Sequence, residues 1–273
     1  MWFDFLPFFE VSNKAWGRTL LECFHFEKSV KLSKKDWINC YIQARLQSFY
    51  FAWSGLIDFN FLKRINLYFL NGVIHEDHNF GCLLFLQSEN IYVLKEKFYY
   101  YRIRENSITN TNQTTQLPQC VKHIYDAFQD RELAKQYHKQ SSVLLMFFEF
   151  IEILDKNEIQ YREVIEKNFL PFYAEYSVPL LNFNQDPLNI LHRLPEIEPY
   201  LKKGFKYRHK LKLTNPTKYN MLKPIFSLYD SIKIVERSIR KIVKKNSVKD
   251  VYIIVRDVVM WYIVVRILLH LNF

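Results

Sequence analysis

Between Asn71 and Ile103 a turn, a helix and strand-forming residues follow in quick succession, and this stretch constrains the fold more than any other. Asn71-Gly72 is a turn dipeptide. From about Glu76 the apolar positions Phe80, Leu83 and Leu84, with Gln87, fall at i, i+3, i+4 and i+7, the spacing of one helix face. Asn90–Val93 and Phe98–Ile103 then read as two short strands, rich in β-branched and aromatic residues. Upstream, Trp37, Ile38, Tyr41, Ile42, Arg45 and Leu46 predict a helix over Lys34–Phe51, and a short helix is expected over Phe59–Phe69. The first part of the chain therefore mixes helical and strand patterns.

Three parts are expected, over residues 1–116, 117–201 and 202–273. The first closes in a polar loop, Ser107–Gln116. The second is mainly helical, with helices over Cys120–Tyr137 and Ser141–Leu154. Pro171, Pro179, Pro187, Pro195 and Pro199 then cut the chain into short pieces. The third is a basic tail. Ile225, Leu228, Tyr229, Ile232, Val235, Ile239 and Ile242 form an apolar stripe, and Lys233, Arg237, Arg240, Lys241, Lys244 and Lys245 cover the other faces. An apolar segment, Val248–Phe273, follows.

Composition excludes several classes. With 273 residues and 49% hydrophobic content, the chain can bury a sizeable core and is not a disordered polymer. Neither a G-x-G-x-x-G nor a P-loop run is present. Cys23, Cys40, Cys82 and Cys120 are scattered, form no C-x-x-C, and read as buried free thiols in a reducing cytosol. Met1–Glu10 is apolar but lacks a basic leader region, so it does not read as a signal peptide. The run Val258–Val265, bounded by Asp257 and Arg266, is far short of the ~20 residues a spanning helix needs.

The net charge of +10 is concentrated in one place. Residues 200–245 hold fourteen Lys and Arg against Asp230 and Glu236, a local balance of +12, which leaves the remainder at −2. A basic amphipathic segment of this kind suits an anionic membrane surface. A nucleic-acid partner is not expected, because no helix-turn-helix, zinc-finger or RNA-recognition pattern stands beside the charge.

The chemistry-bearing residues cluster around the helix and its following strand. Glu76 and Asp77 open the helix, where the positive end of the dipole favours an ionised carboxylate, the form a general base must take. A plain capping role is the bland alternative. Arg102 and Arg104 share one face of a strand and could clamp a diphosphate, with Asn106 and Ser107 adding donors at the turn that follows. Solvated arginines at a strand end are the alternative there. His75 and His78 flank the acidic pair without an H-x-H or H-x-x-x-H spacing, so one histidine contributing to a divalent metal is the most this pattern offers, and no metal site is assigned. Tyr99, Tyr100 and Tyr101 read as strand packing.

Taken in order, these pieces resemble the family 2 glycosyltransferases of GT-A fold, especially bacterial enzymes that build capsule, lipooligosaccharide or teichoic-acid glycans. Trp53, Leu56, Phe61 and Leu62 match W-x-x-L-x-x-x-x-F-L. Gly72, Glu76, Asp77 and Phe80 match G-x-x-x-E-D-x-x-F. Tyr101, Arg104, Asn106, Ser107, Ile108 and Thr109 match Y-x-x-R-x-N-S-I-T. The resemblance covers about a fifth of the chain. It implies an α/β fold: the acceptor-side part of a Rossmann-like GT-A domain, then a mainly helical extension. It also implies inverting transfer from a nucleotide-sugar to a surface glycan or lipid-linked acceptor. Asp77 would be the base, with Glu76, His75 and Trp53 on the acceptor and Arg102, Arg104, Asn106 and Ser107 on the donor diphosphate. A divalent cation, Mg or Mn, belongs to such a reaction. The family's D-D-x-S-x-D loop and D-x-D are absent from the sequence. The expectation is therefore an N-terminally truncated cytoplasmic enzyme, with peripheral attachment to the cytoplasmic face of the inner membrane as one reading of the basic tail and a solvated helical face as the other. The alternative is a non-catalytic acceptor-binding or assembly subunit derived from one.

Overall fold

The structure is a computed structural model that describes residues 1–9, 18–46, 48–103, 117–156, 162–202, 207–228 and 231. It divides into two units, Met1–Lys203 and Gly204–Phe273. The first is mixed α/β. Strand β1 (Trp2–Phe9) is followed by α1 (Leu20–Phe24), β2 (Val30–Leu32), α2 (Lys34–Gln43), α3 (Phe59–Ile65), α4 (Glu76–Gln87) and β3 (Ile91–Ile103). Next come α5 (Gln119–Asp126), α6 (Arg131–Lys156), α7 (Arg162–Asn168), α8 (Leu170–Ser177) and two 3-10 helices, Val178–Asn182 and Leu191–Tyr200.

Local chemistry starts the helices. Thr19 with Glu22, and Ser33 with Asp36, form reciprocal capping boxes at α1 and α2. The Asp58 carboxylate accepts the Asn60 and Phe61 N–H groups at 2.8 and 3.1 Å, and Asn66 closes α3 in the left-handed conformation.

The sheet has three strands in the order β1-β3-β2. β1 runs parallel to β3, from Trp2 opposite Val93 to Phe9 opposite Ile103, with irregular register on both sides of Asp4. β2 runs antiparallel to the start of β3. Against this sheet sits an aromatic core. The Trp2 ring meets Phe24, Phe49 and Phe85 edge-on at 5.2, 5.4 and 5.7 Å, while Trp37 contacts Phe49, Phe85 and Phe169. Tyr41 stacks on Phe169 at 4.1 Å, so α8 joins the same core. α6 packs against α4, α5 and α8, and residues on both sides of position 117 therefore share one interior.

Several predicted elements differ. α2 ends at Gln43 rather than near Phe51, and Arg45 takes a left-handed φ of 51°. Helical periodicity loses there to packing, because Phe49 and Phe51 are both fully buried, at an i, i+2 spacing that extended backbone serves. β3 is one strand rather than two. Its polar middle lies at the register shift, where Lys97 pairs with Asp4 of β1, and the Lys95 N–H donates to Ser29 Oγ at 3.1 Å. The helix expected over Cys120–Tyr137 breaks at Asp126. Asp130 caps a new helix, accepting the Glu132 N–H at 2.8 Å, and α6 continues through Ser141 without a second start. Of the four thiols only Cys82 is buried, Cys120 being exposed.

The second unit is described over α9 (Tyr207–Thr214) and the helical residues 216–228, where Met221 and Ile225 lie exposed. Among the described residues no helix is long and apolar enough to cross a membrane. The rest of the basic tail, the apolar segment after it and the predicted loop Ser107–Gln116 lie outside the described residues.

Candidate functional site at the start of helix α4

The turn before α4 is anchored from behind. Gly72 has φ of 72°, the left-handed region that favours glycine. His138 on α6 donates from Nε2–H to the Gly72 carbonyl at 2.8 Å. Burial holds the His138 imidazole below its ordinary pKa, hence neutral, which leaves Nδ1 to accept from the Tyr125 hydroxyl at 3.5 Å. Ser142 accepts the Ile74 N–H at 3.1 Å and donates to the His138 carbonyl at 2.6 Å. One turn of α6 thus fixes the backbone from Gly72 to Ile74. His75 follows in the left-handed region, φ 63°, and caps α4 without using its side chain.

From this anchor α4 presents Glu76, exposed, and Asp77, His75 and His78, half-buried. The Asp77 carbonyl accepts the Phe51 N–H at 3.1 Å, tying the helix start to the segment after α2 that carries Tyr50 and Trp53. The Tyr50 and His78 rings lie 5.8 Å apart. Trp53 stacks on Tyr101 of β3 at 4.5 Å, and Phe5 of β1 meets Trp53 edge-on at 4.8 Å. The result is an aromatic wall built from both parallel strands and the segment after α2.

The Asp77 carboxylate titrates above its ordinary value because burial removes water from the charged form, with the nearby His75 and the N–H groups of Asp77 and His78 pulling the other way. The helix dipole adds to that opposing pull, toward the ionised form a base needs. At a half-buried site desolvation outweighs the partial positive charge of the helix end. Asp77 also acts on its neighbours. The Tyr50 hydroxyl is pushed up to about 12, first by burial and then by the Asp77 charge, and Tyr101 is raised by the same two causes. Burial lowers His78 to about 4.

Of the residues singled out in the sequence, His75, Glu76 and Asp77 stand together, and Trp53 joins them through Tyr101. Arg102 sits exposed near the end of β3, opposite Phe8. Arg104, Asn106 and Ser107 lie outside the described residues. Sequence reasoning overlooked Tyr50, hidden inside the overlong helix, and gave no role to Asp4, a buried carboxylate on β1 whose Oδ1 accepts the Phe5 N–H at 2.9 Å. It also overlooked Glu149 on α6. Glu149 accepts from the Asn79 amide at the second position after Asp77, and burial pushes its carboxyl up to about 7. An acid on the polar side of a long helix carries no local sequence signal for such a contact.

The cation implied by the resemblance needs carboxylates in a D-x-D, which the sequence lacks. The trio His75, Asp77 and His78 offers two nitrogens and one oxygen, a donor set unlike the all-oxygen sets that suit Mg and Mn. The residues present do not fit that cation, and no step is derived through it.

No family model matches the chain, and no curated protein or solved structure matches it either.

Proposed function

We propose that this chain is the acceptor-side part of a glycosyltransferase that moves a sugar from a nucleotide-sugar to a glycan or lipid-linked acceptor with inversion. The observation that carries this reading is Asp77: a half-buried carboxylate of raised proton affinity, fixed at a helix start beside Tyr50 and Tyr101. A general base works best when its pKa is moved toward the working pH, and burial does that here. In the reaction, an acceptor hydroxyl gives its proton to Asp77 as its oxygen attacks the anomeric carbon. The bond from that carbon to the diphosphate breaks, and the electron pair leaves with the nucleoside diphosphate. Arg102, with Arg104 beyond it, would meet that charge. Glu76 and Trp53 would orient the acceptor.

The test is transfer itself. Purified protein is incubated with a panel of nucleotide-sugars and bacterial glycan and glycolipid acceptors, and products are read by mass. Asp77→Asn, nearly isosteric, is expected to lower turnover by about 10²–10⁴-fold while acceptor binding persists. Equal turnover by both proteins, or neither binding nor transfer, overturns the reading. Acceptor binding without transfer would instead favour the second reading, a non-catalytic acceptor-binding or assembly subunit. The missing D-x-D is the observation that favours it.

A further inference from the structure

The turn before α4 also brings together three side chains of metal-ligating chemistry, Asp77 of the proposed transfer among them. One ligand atom each from His75, Asp77 and His78 lies within 4.8 Å of both others. The two imidazoles flank the helix start, His75 at the cap and His78 within the first turn, with ring centroids 5.5 Å apart and planes at 59°. A tetrahedral zinc ion with bonds near 2.1 Å needs its ligand atoms about 3.4 Å apart. The ligand atoms of the trio thus lie at most about 1.4 Å wider than that spacing. Among the described residues neither imidazole is committed to a hydrogen bond. The backbone beneath them is held by His138 and Ser142 on α6. The ion's charge would be met by Asp77 and by Glu76 one residue away, and opposed by Lys139 of α6, which also faces His78.

We propose that His75, Asp77 and His78 form a binding site for one divalent transition-metal ion of the zinc class. Two imidazoles and one carboxylate on one side of an ion leave the other positions open to water or an acceptor oxygen. The softer nitrogen donors select zinc, cobalt or iron over magnesium or calcium. Such an ion takes an oxygen of Asp77, so its occupancy competes with the carboxylate's use as a base. The site itself does not rest on sugar transfer, because its readout is metal binding.

The experiment is titration of chelator-treated full chain with Co²⁺, followed by its visible absorption, and with Zn²⁺ by calorimetry. One equivalent with a nitrogen- and oxygen-ligand spectrum is expected. His75→Asn removes one imidazole at a left-handed position that asparagine tolerates, and Asp77→Asn removes the carboxylate. Each should weaken binding by more than the roughly 10–100-fold that loss of an outer-shell partner costs. Should a variant fail to fold, ¹⁵N-histidine spectra of the unaltered protein decide: the ring signals of two of its eight histidines move on adding Zn²⁺. Absence of a bound equivalent, binding unchanged in both variants, a thiolate charge-transfer band, or any other number of shifted imidazoles overturns the proposal.

Discussion

At the scale of single residues, the contact between Asn79 and Glu149 has the clearest measurable consequence. The Asn79 amide donates to Glu149, while Asn79 Oδ1 is buried with no hydrogen-bond partner. Burial raises the Glu149 carboxyl to about 7. A folded pKa above the unfolded value means the folded state holds the proton more tightly. The stabilisation is complete below pH ~4.5 and is lost as pH rises through ~7. Glu149→Gln keeps an acceptor for the Asn79 amide and adds donors that its orphan oxygen can use. The melting temperature of the unaltered protein should therefore fall between pH 5 and 8 relative to that of the variant, with the variant the more stable at pH 8. Parallel melting curves across that range would remove Glu149 from the account. The Glu76-Asp77 pair was visible in the sequence because capping acids are a local pattern. Glu149 and Tyr50 were not, because their importance arises from what other elements place beside them.

At the scale of elements, α4 comes unusually close to the segment before Trp53. A Cβ built on Gly81 would lie 2.6 Å from the Phe51 nitrogen and 2.9 Å from its Cβ. In a free helix Gly→Ala is favourable by about 1 kcal/mol. Here the obstacle is backbone, and overpacking typically costs about 1–3 kcal/mol, so the clash wins. Gly81→Ala should lower the urea midpoint, and a raised midpoint would refute the close approach. Because the Phe51 N–H also bonds the Asp77 carbonyl, the same change should disturb the candidate site. The start of α2 was legible, where Ser33 and Asp36 form a local cap, whereas the capped starts of α1 at Thr19 and of α6 at Asp130 were missed. Ends set by tertiary packing were not legible: α2 stops where Phe49 must enter the core. β1 was not recognised as a strand because WFDFLPFF is nearly all apolar and contains Pro7, a residue a strand edge tolerates but a periodicity reading discounts.

At the scale of the whole molecule, charge and core are separated along the chain. The fourteen cations of residues 200–245 belong almost wholly to the second unit, Gly204–Phe273. Its described helix over 216–228 exposes Met221 at 76% and Ile225 at 43%, apolar side chains beside lysines. That combination suits adsorption to an anionic bilayer. Full-length protein should sediment with vesicles containing phosphatidylglycerol and be released by high salt, and deletion of residues 222–273 should abolish sedimentation. Retention by the deleted protein would place the lipid contact elsewhere.

The parallel pairing of β1 with β3 has a consequence in time. Trp2 lies opposite Val93, so about 90 residues separate the two halves of the ladder. At ribosomal speeds of ~5–20 residues per second, β1 waits roughly 5–18 s for its partner to be synthesised. Throughout that interval a strand of six aromatic and aliphatic residues around one buried acid has no sheet to join. Among the described strands, nascent β1 is therefore the one with the longest need for a holding chaperone.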